Sequence, residues 1–200
     1  MRAIDWHQFL QRQRDEHLKV VFTTTELANV AGSDSRSLGV TLQRLVKRGV
    51  IERYAAGRYG LPGAAGPEDL VPLLDTSAYI TGVYALYRHT MVMQIPVEIT
   101  CFTLRRHNRS RIRQTPVGRL VFVCVAPPLY APPQEAALVS AEQALCDFVY
   151  LCRRRGIAAS DVATFRNQER LDRQALGTYL ARYPQTVGRE VSRVLAWQGG

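Results

Sequence analysis

The spacing of apolar positions changes character several times along the chain, and each change predicts an element. Ile4, Trp6, Phe9 and Leu10 recur among polar residues at helical intervals, predicting a short amphipathic helix over 4–18. Val20-Val21-Phe22 is a brief β-like run, and any of Thr23, Thr24 and Thr25 after it can cap the next helix. That helix spans only 26–31 before Gly32 stops it. Ser33, Asp34 and Ser35 supply new cap oxygens for a longer helix over 35–48, ended by Gly49. Residues 50–54 and 58–61 read as two strands joined across Ala55-Ala56-Gly57, a short hairpin. Pro62, Gly63, Gly66 and Pro67 then form a linker.

Beyond the linker a short helical stretch precedes a helix predicted over 77–89, capped by Thr76 or Ser77. Residues 97–104 and 119–125 are β-branched and aromatic runs, read as neighbouring strands, with a third over 111–115 turned by Pro116 to Gly118. Pro127-Pro128 and Pro132-Pro133 bracket a rigid loop. Ser140-Ala141-Glu142-Gln143 has capping-box spacing, with Gln143 reaching back to Ser140. The helix that follows shows Ala144, Leu145, Phe148, Val149 and Cys152 on one face and ends at Gly156. Further helices are predicted over 161–167, 171–182 and 187–197. The expected fold class is α+β. A winged helix-turn-helix over 1–63 precedes a mixed α/β domain over 67–200, with a small antiparallel sheet and a C-terminal helical group.

The longer helix carries the functional signal. On a wheel of about 100° per residue, Leu38, Leu42, Leu45 and Val46 form one packed stripe. The opposite side collects Arg36, Ser37, Val40, Gln43, Arg44 and Lys47, with no carboxylate, a face suited to a major groove. A solvated basic face is the bland alternative; the hairpin behind the helix favours DNA. Ser35, Arg36, Ser37 and Val40 are placed to meet base edges, and Gln43, Arg44, Lys47, Arg53 and Arg58 complete the interface, its cations on phosphates. Thr24 and Thr25 open the shorter helix, where amides and hydroxyls suit a further phosphate. Gly39 inside the helix predicts close packing against the shorter helix.

Charge adds a second surface. Lys and Arg number 26 against 17 acids, for a net charge of +9, and all but Lys19 and Lys47 of the cations are arginine. GC-rich coding produces the same excess, but a basic chain also attracts polyanions. Arg105, Arg106, Arg109, Arg111 and Arg113 fall within nine residues, and no acid occurs between Glu98 and Glu135. The segment reads either as a solvated loop or as a second contact for DNA, RNA or a nucleotide. Alternation of Arg109, Arg111 and Arg113 predicts three guanidinium groups on one strand face, and Arg119 adds a sixth uncompensated charge.

Other function classes find little support. No phosphate-cradling glycine loop, HExxH or GxSxG is present, and the four histidines have no ligand partners at metal spacing. No catalytic residue, metal or cofactor is predicted. The longest apolar run, residues 120–126, is far too short to span a membrane, and no secretory signal opens the chain. A cytoplasmic protein with four reduced core cysteines is expected.

Residues 22–28, 42–51 and 57–62 resemble the N-terminal winged helix of AbiEi-type antitoxins. Residues 77–86 are similar to that family's segment opening with a tyrosine and closing on alanine–leucine. Residues 139–147 resemble the start of its proline–glutamate–lysine–alanine–leucine–leucine–aspartate helix, with Ala141 and Gln143 standing for the proline and lysine. The resemblance implies a repressor that binds inverted repeats in its own promoter and counteracts a nucleotidyltransferase toxin, functionally or through weak contact. The competing expectation is an interaction module whose winged helix docks a protein partner.

Overall fold

Capping chemistry sets where the first elements begin and end. The computed structural model describes residues 2–33, 35–134 and 136–196, apart from the side chains of residues 35, 36 and 196. Helix α1 (Ala3–His17) starts where the Arg2 amide donates to Asp5 Oδ2 at 2.7 Å, and it stops at a left-handed Leu18. Strand β1 (Val21–Thr23) runs directly into α2 (Thr24–Ala31). Of the three threonines, Thr23 is the cap: its hydroxyl accepts from the Glu26 amide at 3.1 Å, and Glu26 accepts from the Thr23 amide at 2.8 Å. Gly32 and Gly49, both at positive φ, follow α2 and α3 (Ser35–Lys47).

Strands β2 (Glu52–Ala55) and β3 (Arg58–Gly60) form the expected hairpin, and β1 adds to its far edge. The result is an antiparallel sheet of order β1-β3-β2. Gly60 is required there, because a Cβ would lie 2.1 Å from the Val20 carbonyl oxygen. Trp6 and Leu10 of α1, Leu27 of α2, and Leu38, Leu42 and Leu45 of α3 share one buried cluster with Phe22 and Ile51. Gly39 departs from expectation. A Cβ at that position meets nothing within 4 Å, so close packing on α2 does not explain it.

The chain divides into two compact units, one reaching to Leu73 and including 114–118, the other holding the remainder. The division falls past the 62–67 segment, so most of α4 (Pro67–Leu74) belongs to the first unit.

Later in the chain, β4 (Tyr79–Thr81), β5 (Glu98–Thr103), β6 (Ile112–Thr115) and β7 (Gly118–Cys124) form a sheet of order β4-β5-β7-β6. The expected antiparallel sheet is instead mixed, with β4 antiparallel and β7 parallel to β5. The chain leaves β5 for the outer edge, so that β7 inserts between β5 and β6 and runs in the direction of β5.

The helix predicted over 77–89 is cut short for a related reason. Tyr79–Thr81 is taken by the sheet, with the Ile80 amide also donating to Ala137 O at 2.6 Å, and only α5 (Gly82–Arg88) remains helical. Gly82, at φ 68°, makes the strand-to-helix corner. Helix α6 (Ala141–Arg154) buries the predicted stripe. Ser140 caps it, but Gln143 does not reach back; its side-chain amide donates to Ala131 O at 2.6 Å. The predicted 161–167 helix contracts to α7 (Ala159–Val162), followed by α8 (Arg173–Leu180) and α9 (Gln185–Ala196). Three of the four free cysteines are buried, but Cys124 is exposed. Among the described residues no helix is long and apolar enough to cross a membrane.

Candidate nucleic-acid interface

The inner stripe of α3 fixes what its outer side can present. Leu38, Leu42 and Leu45 are buried, which turns Ser37, Val40, Gln43, Arg44 and Lys47 outward; Val40 is 51% exposed. The side chains of Ser35 and Arg36 lie outside the described residues, as does Asp34. The helix contains no acid, and among the described side chains its outer face offers an apolar contact, amide and hydroxyl groups, and the cations Arg44 and Lys47. Arg44 and Lys47 also occupy the last turn, where the helix dipole favours positive charge, a structural role independent of any ligand.

At the head of α2 the donors are largely committed. The Thr24 amide donates to Gly57 O at 3.2 Å, and the Glu26 carboxylate already sits at the helix start with Lys19 Nζ at 2.6 Å. Burial pushes the Glu26 carboxyl up, but hydrogen bonds from Lys19 and Thr23 outweigh it and hold the group below its usual range. Thr25 is exposed.

The two hairpin arginines differ. Arg53 is exposed, with Nε 3.4 Å from its own strand's Ala55 O. Arg58 is half-buried and donates to Gly57 O at 3.3 Å and to Leu73 O, in the last turn of α4, at 3.4 Å. Its guanidinium is therefore partly spent on holding α4.

The second basic segment is organised differently from its sequence pattern. Strand β6 begins only at Ile112, and Arg109 lies in a turn, so Arg109, Arg111 and Arg113 do not share a strand face. Arg113 folds back over the Phe122 ring, 4.9 Å from its centroid, and donates to His107 Nδ1 at 3.3 Å and to Ser110 O at 3.2 Å. Arg119 is compensated: it stands opposite Glu98 in the β5–β7 register, with Nε 3.1 Å from the carboxylate. Arg105, Arg106, Arg109 and Arg111 remain exposed.

Beneath this loop lies a buried cluster that sequence spacing did not reveal. Asp75 accepts from Thr103 Oγ1 and His107 Nε2 through Oδ2, both at 2.7 Å, and from the Ser77 amide and hydroxyl through Oδ1, at 2.9 and 2.8 Å. Burial raises the Asp75 carboxyl, but these donors outweigh it and hold the group far below the ordinary carboxylate range. Arg113 can only donate to Nδ1, which leaves the Nε2 proton to point at Asp75. Ser77 gives its hydroxyl proton to the carboxylate rather than to the imidazole, so the trio lacks the serine–histidine order of a nucleophile and its base. It ties the start of the second unit to the loop after β5.

A second buried acid, Asp147 on α6, accepts from Thr81 Oγ1 at 2.5 Å and from the Tyr183 hydroxyl. Here burial dominates the two hydrogen bonds and pushes the carboxyl up to about 7. The members of both clusters come from separate elements, so nothing in local spacing announces them. No protein-family model matches the chain, and no match is found among curated proteins.

Proposed function

We propose that residues 1–63 form a winged helix-turn-helix that binds duplex DNA, with α3 in the major groove and the β2–β3 hairpin as the wing. The chain then acts as a transcriptional regulator and antitoxin of the AbiEi type, repressing its own promoter through inverted repeats and opposing a nucleotidyltransferase toxin. One observation carries the DNA part of this reading: the exposed side of α3 is free of acid and holds Ser37, Val40, Gln43, Arg44 and Lys47 together. Val40 suits a thymine methyl, while Arg44, Lys47 and Arg53 suit phosphates. The antitoxin part rests on the resemblance in residues 22–28, 42–51, 57–62, 77–86 and 139–147.

An electrophoretic shift with DNA from upstream of the gene tests the first part. Arg44→Ala with Lys47→Ala is expected to abolish the shift at moderate salt, leaving binding measurable only at low salt, while the melting temperature holds; an unchanged shift overturns the assignment. Co-expression with a neighbouring nucleotidyltransferase gene tests the second part, with rescue of growth expected.

A second reading, a winged helix that docks a protein, draws on the commitments of the Thr24 amide and of Arg58, which leave fewer phosphate donors. Co-purification of the neighbouring gene product, with no DNA shift at moderate salt, favours it.

A further inference from the structure

Within the second unit a cleft of about 540 Å³ gathers four arginines from two distant segments of the chain. Arg106 and Arg111 come from the loop between β5 and β6, and Arg154 and Arg155 from the C-terminal end of α6. Val123 and Leu151 contribute an apolar part of the lining, and no lining residue is acidic. None of the four guanidinium groups is paired with a carboxylate among the described residues. Four like charges around one concavity repel one another, and a bound polyanion relieves that repulsion.

The loop side of the cleft is held in place before any ligand arrives. The Phe122 amide donates to Arg111 O at 2.8 Å, and the Arg105 amide donates to Thr103 Oγ1 at 3.0 Å. His107 is anchored on Asp75, and its ring lies 4.7 Å from that of Phe122. On the helix side Arg154 lies over the Tyr150 ring, 5.7 Å from its centroid. With the loop backbone fixed, binding has only the exposed arginine side chains left to order, which favours a ligand that engages several at once.

We propose that this cleft binds the phosphate chain of a nucleoside triphosphate. Guanidinium forks match phosphate oxygens in pairs, so a single phosphate satisfies one or two arginines, whereas a chain of phosphates offers acceptors to more of the four. The volume lies within the range of about 300–1,000 Å³ usual for small-molecule sites. Val123 and Leu151 offer the base an apolar surface beside the charged rim.

Cys124 lines the same cleft and is the exposed cysteine among three buried ones, so it reports occupancy directly. The experiment follows Cys124 alkylation by iodoacetamide in the full-length protein, alongside calorimetric titration with ATP, AMP, adenosine, inorganic triphosphate and a short single-stranded oligonucleotide. ATP is expected to slow alkylation and to bind about tenfold or more tighter than AMP, as extra charge-assisted hydrogen bonds require. It is also expected to bind tighter than inorganic triphosphate. Arg106→Ser with Arg154→Ser should abolish the protection at an unchanged melting temperature.

Equal protection by adenosine and ATP, or full ATP binding by the double variant, overturns the proposal. Inorganic triphosphate binding as well as ATP removes the nucleoside from it. An oligonucleotide that outcompetes ATP through the same arginines makes the cleft a strand contact instead. Arg44→Ala with Lys47→Ala should leave ATP binding unchanged, so this proposal and the DNA-binding reading fail separately.

Discussion

Two glycines of the first unit face opposite constraints. Gly39 sits in the middle of α3 with open space where its Cβ would be, so Gly39→Ala is expected to stabilise the protein by roughly 1 kcal/mol, read from the denaturant midpoint. Gly60 lies against the Val20 carbonyl, and Gly60→Ala should cost about 3 kcal/mol or more in the same measurement. Asp147 makes a prediction of different sign with pH. Its carboxyl, pushed up to about 7 by burial, keeps its proton in the folded state after the unfolded chain has released it. The Asp147 contribution to stability is therefore full in acid, falls as pH rises from about 4 to 7, and levels off with a total loss on the order of 4 kcal/mol. Asp147→Asn keeps an acceptor and a donor for the Thr81 and Tyr183 hydroxyls, and its melting temperature is expected to lose that decline. Asp75 works in the opposite direction: held low, it stabilises above the ordinary carboxylate range, and that contribution is lost as pH falls through its depressed value. The α3 stripe was legible in the sequence because helical spacing alone decides it. What lies opposite Gly60 or Asp147 was not, because Val20, Thr81 and Tyr183 come from other parts of the chain.

At the scale of elements, legibility follows the range of the forces involved. Helices ended by glycine and begun by a capping side chain were readable to within a few residues, as at Thr23, Gly32, Gly49 and Ser140, since every partner lies within one turn. Tyr79–Thr81 reads as helix in the sequence because its strand character depends on β5, about twenty residues later, and on the Ala137 carbonyl. The parallel pairing of β5 with β7 was hidden likewise, since only a loop that crosses to the outer edge of the sheet permits it. That loop owes its order to His107 and Arg113, whose roles look from sequence like two members of a basic run. His107→Ala removes a donor from the buried Asp75 and frees the loop, so a loss of about 1–3 kcal/mol is expected. Trypsin should then cut after Arg109 markedly faster than in the parent protein. An unchanged digestion rate would mean that Arg113 and Thr103 hold the loop by themselves.

For the whole molecule, the net charge of +9 predicts attraction to any polyanion and does not by itself distinguish a specific surface from a diffuse field. Composition and spacing do not sort the arginines into those that pair, stack or stay free. The fold does this: Arg119 meets Glu98, Arg113 covers Phe122, Arg58 ties down α4, and Arg44 and Lys47 remain outward. Salt dependence turns that sorting into a measurement, because each phosphate neutralised contributes a fixed increment to the slope of log affinity against log salt. If α3 binds the duplex, Arg44→Ala with Lys47→Ala should reduce the slope by about 2, with Arg53→Ala removing a further ~1. Arg58→Ala should lower stability through its lost bond to Leu73 while changing the slope little. Replacing Arg106, Arg111, Arg154 and Arg155 with serine should leave the slope near its parent value, because their cleft is assigned to a small anion. A slope that falls by about 4 on that change instead would transfer the duplex contact to the second unit, with α3 reduced to a solvated helix.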